Sequence, residues 1–144
     1  MQYLDCGRGA WFDFDESIAW SNYYPFDDWC TPYKAWQLTY SHDPREGLSD
    51  EAKKNVLGGE VAMWSETLDP ASFDSIAWPR AAAAGEIWWS GRVDADGNNR
   101  THLDAKPRLA EMRERMLVRG IGAAAIQPAW SGMNPVGACQ HFVE

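Results

Sequence analysis

The sequence predicts an α/β fold built from parallel βα units that form part of a larger sheet or barrel. Three observations predict it. Short apolar strands occur at "YLDCG", close to the start, and again at "GEVAMWSE", residues 59–66. Each is followed by helical segments, giving the order strand, long loop, helices, strand, helices, which is the alternation of parallel βα units. Only two strands are legible in 144 residues, and two parallel strands cannot cover their edges and both apolar faces alone. Further strands are therefore expected from polypeptide outside this sequence.

In "YLDCG" the side chains of Tyr3 and Asp5 fall on one side of an extended chain and Leu4 on the other, and Gly7 and Gly9 end the strand. Residues 10–30, "AWFDFDESIAWSNYYPFDDWC", fit neither the helical nor the strand period. Loops of that length inside a compact domain are functional or disordered, and this one is too aromatic for disorder. "TPYKAWQLTY" predicts a short helix with Thr31 as N-cap and Pro32 at its first position. "LSDEAKKNVLGG" predicts another: Ser49 caps it, Asp50 and Glu51 suit its first turn, Lys53 and Lys54 follow, and Gly58 ends it.

The strand at 59–66 places Trp64 and Glu66, at i and i+2, on one side. A flat apolar face beside a hydrogen-bond acceptor suits a sugar, whose C–H face stacks and whose hydroxyls need acceptors. The same spacing also describes a buried Trp next to an ion-paired Glu. "PASFDSIAWPRAAAAGEIWWSG" predicts two helical pieces broken before Pro79, which opens the second piece, with Gly91 as the stop. After the polar turn "DADGNN", Leu109, Met112, Met116 and Leu117 line one face of a helix that ends at Gly120, with Pro107 in its first turn. The tail "AAAIQPAWSGMNPVGACQHFVE" is irregular, interrupted by Pro128 and Pro135.

Composition narrows the function classes. The formal charge is −8, from 13 basic and 21 acidic residues, and no Lys/Arg cluster occurs, which argues against nucleic acid as a partner. No run approaches the ~20 apolar residues of a membrane-spanning helix. "MQYLDCGRGAW" has neither a basic n-region nor an apolar h-region, so no signal peptide is visible in this chain. Cys6, Cys30 and Cys139 have no metal-ligand spacing, and neither a metal nor a cofactor is expected. Cys6 and Cys30 bracket the aromatic loop; they could close it as a disulfide, or all three cysteines could be reduced, buried thiols. One glycosylation sequon, Asn99-Arg100-Thr101, sits in the polar turn. These features lean towards a secreted protein.

The blocks "YLDCG", "WCTPYKAWQ", "LGGEVAMWSETLDP", "AWPRAAAAGEIWWSG" and "RLAEMRERMLVRGIGAAAIQP", in that order, resemble the C-terminal part of the β-N-acetylhexosaminidases of glycoside hydrolase family 20, most closely the secreted fungal type. The resemblance runs from Tyr3 to Pro128. It implies a (β/α)8 TIM barrel, incomplete here, with residues 1–7 as strand 7 and residues 59–66 as strand 8, the last two βα units. Residues 1–130 would belong to the catalytic barrel, and 131–144 would form an irregular tail without family support. The implied activity is the retaining hydrolysis of terminal β-linked N-acetylglucosamine or N-acetylgalactosamine, on glycans or chitooligosaccharides. It proceeds by substrate assistance, in which the sugar's own 2-acetamido oxygen attacks C1.

Carried over by position, Tyr3 would donate to the acetamido oxygen. Asp5 and Glu66 would accept from the distal hydroxyls O4 and O6, and Trp64 would pack against the −1 ring. Tyr3 and Asp5 are also open to a plainer reading, as strand-end residues capping a neighbouring helix. The resemblance also implies a Cys6–Cys30 bridge over the active-site loop, secretion of the full-length enzyme, and dimerisation in that enzyme. The family's adjacent Asp-Glu acid/base pair has no counterpart. Asp15-Glu16 has no strand before it, and Asp50-Glu51 sits at a helix start. The Arg that grips the outer hydroxyls in the family is absent too. The chain is therefore expected to be inactive in isolation and to act with the remainder of the barrel. The alternative is a sugar-binding or interaction module, derived from such an enzyme, that performs no chemistry.

Overall fold

The structure, a computed structural model, describes residues 2–7, 33–65 and 68–126. The aromatic loop, Cys30, Asp15-Glu16, Glu66 and everything beyond Ile126, including the proposed tail and Cys139, lie outside the described residues. Among those described, the order is β1 (Gln2–Tyr3), α1 (Trp36–Ser41), α2 (Asp50–Lys53), β2 (Val61–Ala62), α3 (Phe73–Ala77), α4 (Arg80–Ser90) and α5 (His102–Val118).

β1 and β2 pair in parallel, with Gln2 opposite Val61 and Tyr3 opposite Ala62. Gln2 N–H donates to Glu60 O at 2.9 Å and Leu4 N–H to Ala62 O at 2.9 Å, so the ladder runs one residue past Tyr3. Both strands are shorter than the sequence predicts, but the parallel arrangement is the one expected. Gly59 leads into β2 under the Trp88 indole. A Cβ on Gly59 would sit 2.6 Å from Trp88 Cε2, closer than a real contact allows. Gly59→Ala is therefore expected to destabilise the protein by about 1–3 kcal/mol, the usual cost of overpacking. Urea unfolding checks it, and a Trp88→Ala background should abolish the penalty.

The helices follow their local signals unevenly. Ser49 caps α2, its hydroxyl accepting from Ala52 N–H at 3.3 Å. The helix stops at Lys53, five residues before Gly58. Its lysines fold back on the acids of the same turn, Lys53 to Asp50 at 3.0 Å and Lys54 to Glu51 at 2.8 Å. α3 and α4 break where predicted, around a cis Trp78–Pro79 bond. α4 ends at Gly91, whose φ of 76° falls where only glycine is comfortable and whose N–H bonds Ile87 O.

Two boundaries differ from expectation. α1 begins at Trp36 rather than at Pro32, with Ala35 extended at ψ 160°. The cause is tertiary: Arg80 holds the Lys34 carbonyl at 3.1 Å and stacks its guanidinium 4.3 Å from the Tyr33 ring, which keeps 33–35 out of the helix. Thr101 caps α5, its hydroxyl accepting from Asp104 N–H at 3.2 Å, and the helix starts at His102, so Pro107 lies in the second turn rather than the first.

The main core joins α1, α4, α5 and the strap at 121–126: Trp36, Tyr40, Ala83, Ile87, Ala105, Leu109 and Ile126. The buried stripe of α5 is Ala105 and Leu109, while Met112 and Met116 are half-buried and Leu117 is exposed. The fully buried positions of α5 thus start one turn earlier than the sequence suggests, while its C-terminal half meets the strap through Arg113, whose Nε donates to Ala123 O at 3.3 Å and to Ala124 O at 3.0 Å. The strap is tied down by Ala124 N–H to Trp78 O at 3.0 Å, Gly122 N–H to Asp74 Oδ2 at 2.9 Å and Trp36 Nε1–H to Ile126 O at 3.2 Å. Tyr40, fully buried, donates its hydroxyl to Glu86 Oε1 at 3.0 Å, and Arg108 reaches the same oxygen at 2.6 Å. Burial, with the Glu86 acceptor adding to it, raises the Tyr40 phenol above its ordinary value. No helix among the described residues is long and apolar enough to cross a membrane.

Candidate functional site

The described candidate residues fall at or just past the ends of the two parallel strands: Tyr3 closes β1 and Asp5 follows it, and Trp64 lies two residues beyond Ala62 in β2. In this ladder Tyr3 stands opposite Ala62, two residues before Trp64. Paired residues in a parallel ladder share a face, and the chain leaves strand geometry just after them, at a bend over Leu4–Asp5 and at Met63–Trp64. Leu4, between Tyr3 and Asp5, points the opposite way and is 1 % exposed. The strand alternation read from the sequence thus has its inward member in the core, and the candidate residues flank it.

What holds this strand end is Arg80, which sequence reasoning did not single out. It is 3 % exposed. Its guanidinium donates to the Leu4 carbonyl, to Ile76 O at 3.0 Å through Nε, and to Lys34 O at 3.1 Å through Nη1. One planar fork therefore ties the end of β1, the end of α3 and the entry to α1 to the first turn of α4. The available signal was a lone Arg at the head of an Ala-rich apolar helix, "PRAAAA". A cation there needs acceptors, and strand-end carbonyls supply them.

The two described polar members differ in their surroundings. Asp5 is half-buried, and its Oδ1 is buried with no hydrogen-bond partner among the described residues. A buried acceptor left unmade costs about 1–3 kcal/mol, so this oxygen is placed to take a donor from elsewhere. Trp64 is 54 % exposed, a large indole face open at the strand end. Glu66 lies outside the described residues. Tyr3 and Cys6 line a cavity of about 430 Å³ together with Lys34, Leu38 and His42. Cys6 takes part in a disulfide, while the Cys6–Cys30 pairing falls outside the described residues.

Asp50 and Glu51 stand on an exposed first turn, paired with lysines. That arrangement agrees with reading them as helix-start charges. No group of three or more potential metal ligands occurs among the described residues.

Comparison with known proteins is consistent across the chain. The family "Glycosyl hydrolase family 20, catalytic domain" matches residues 1–92. A "Probable beta-hexosaminidase" of Arthroderma benhamiae is 38 % identical over 92 % of this chain and 23 % of its own length. The "Beta-hexosaminidase" of Emericella nidulans is 37 % identical over 94 % of the chain and 24 % of its own length. An insect "Chitooligosaccharidolytic beta-N-acetylglucosaminidase", from Ostrinia furnacalis, is 37 % identical over 92 % of the chain and 19 % of its own length. The chain thus spans about a quarter of the length of the fungal relatives it matches.

Proposed function

The chain belongs to glycosyl hydrolase family 20, and from that membership we propose that it is the C-terminal quarter of a retaining β-N-acetylhexosaminidase, contributing one wall of the −1 sugar subsite. The catalytic domain of that family is a (β/α)8 barrel. In this reading β1 and β2 are strands 7 and 8, and the site lies at their C-terminal ends, where barrel enzymes place their chemistry. Residues 1–130 belong to the barrel and 131–144 form an appended tail. The substrates are terminal β-linked amino sugars of glycans or chitooligosaccharides.

The parallel register that sets Tyr3 beside Ala62, two residues before Trp64, carries this reading. Within it, the Tyr3 hydroxyl donates to the substrate's acetamido oxygen. This positions the oxygen for attack at C1 and tempers the charge as the oxazolinium forms. Asp5 Oδ1, without a hydrogen-bond partner among the described residues, accepts from a distal sugar hydroxyl, and Glu66 accepts from its neighbour. The exposed Trp64 indole covers the apolar face of the ring. The proton donor is an adjacent Asp-Glu pair on polypeptide that precedes this segment in the full-length enzyme. The Cys6–Cys30 disulfide closes the aromatic loop over the site, and the full-length enzyme is secreted and forms a homodimer.

The isolated chain is expected to release no chromophore from a chromogenic N-acetylglucosaminide, whereas the full-length enzyme turns it over. Turnover by the isolated chain at the full-length rate would mean that the acid lies within these residues, and would refute the assignment. A sugar-binding module without chemistry remains the second reading, favoured by the same open Trp64 and Asp5. It predicts amino-sugar binding by the natural full-length polypeptide with no hydrolysis at all.

A further inference from the structure

We propose that Asn99 carries an N-linked glycan whose first N-acetylglucosamine lies over the exposed side chain of Val93. The sequon Asn99-Arg100-Thr101 runs from the returning arm of a turn, closed by an isolated antiparallel bridge between Val93 and Asn99, into the cap of α5. Arg100 N–H bonds Arg92 O at 2.9 Å and Asp94 N–H bonds Asn98 O at 2.9 Å. Those two bonds bracket Val93 and Asn99 as a non-hydrogen-bonded antiparallel pair, whose side chains share a face and approach most closely. Asn99 is exposed, and its side chain makes no hydrogen bond among the described residues. Val93 beside it is 44 % exposed.

The turn is held by its own chain. Asp94 Oδ1 accepts from Asp96 N–H at 3.0 Å and from Asn98 N–H at 2.8 Å. Arg92 also donates across the base to the Arg100 carbonyl. A sugar on Asn99 would therefore leave the surface in one direction, with its C–H face beside the aliphatic patch of Val93.

The third sequon residue sets when the modification happens. The Thr101 hydroxyl donates to Asp104 Oδ2 at 2.5 Å and accepts from Asp104 N–H at 3.2 Å, so folding commits it to the cap of α5. Transfer then belongs to the nascent chain, before α5 closes. The Asn99 amide nitrogen attacks C1 of an N-acetylglucosamine held on a lipid diphosphate. The new C1–N bond forms as the C1–O bond breaks, the lipid diphosphate leaves, and the nitrogen gives up one proton.

The site is independent of the hexosaminidase assignment, since hydrolytic activity reads one and peptide mass the other. The intact protein, secreted from a eukaryotic host, is treated with peptide-N-glycosidase in heavy-oxygen water. The peptide spanning Asn99 should appear as the labelled Asp form. Asn99→Gln should remove that glycan, and Thr101→Ser should retain both glycan and cap. Enzymatic removal of the glycan should lower the Tm of the native protein and change it little in Val93→Ser. An unmodified Asn99 peptide in the secreted protein overturns the site. An equal Tm loss with and without Val93 overturns its contact with the sugar.

Discussion

Replacing Arg80 by methionine in the intact protein is expected to lower its unfolding free energy by about 3–5 kcal/mol, the scale of leaving several buried carbonyls without their donor. The Leu4, Lys34 and Ile76 carbonyls would each lose a donor, and a buried acceptor left alone costs about 1–3 kcal/mol. Domains of ordinary stability have about 5–15 kcal/mol in total, so most of the margin would go. Arg80→Lys should recover only part, because an ammonium cannot fork to three carbonyls from one plane. Urea unfolding reads this as a drop in midpoint at unchanged slope. A midpoint shift worth under about 0.5 kcal/mol, the range of ordinary surface changes, would contradict the clamp.

The second large effect is catalytic. In the full-length enzyme, Tyr3→Phe is expected to lower kcat by about 10²–10³-fold, the usual cost of deleting one preorganised donor to a developing charge. The ring stays and the strand pairing with β2 is backbone-mediated, so the variant should still fold. KM should move far less than kcat, because the lost hydrogen bond strengthens as the oxazolinium forms. A variant with wild-type kcat would remove Tyr3 from the acetamido role and leave it as a strand-end residue.

How far these residues could be read beforehand differs from element to element. Thr101 was not singled out as a cap and Ser49 was, yet both work by the same short-range bond to a backbone N–H three residues on. Gly91 ends α4 because its φ of 76° is costly for any residue with a Cβ. Pro79 breaks the chain between α3 and α4 as its ring dictates. The start of α1 was misplaced by four residues because Thr31-Pro32 carry a sound local signal that Arg80, nearly fifty positions away, overrides at Lys34. The deepest positions of α5 are Ala105 and Leu109 rather than the methionines because periodicity ranks apolar residues by type, while packing ranks them by which positions meet α1 and α4.

Order and kind of element, the parallel pairing of the two strands and the membership of the family were all present in the linear order of residues. Periodicity, caps and breakers act within about four positions, so a chain writes them openly. The fork of Arg80 onto Leu4, 76 residues away, the anchoring of Trp36 to Ile126 across 90, and the solitary acceptor on Asp5 were settled by folding. Those depend on which carbonyls end up buried without a strand or helix partner, and no local pattern records that.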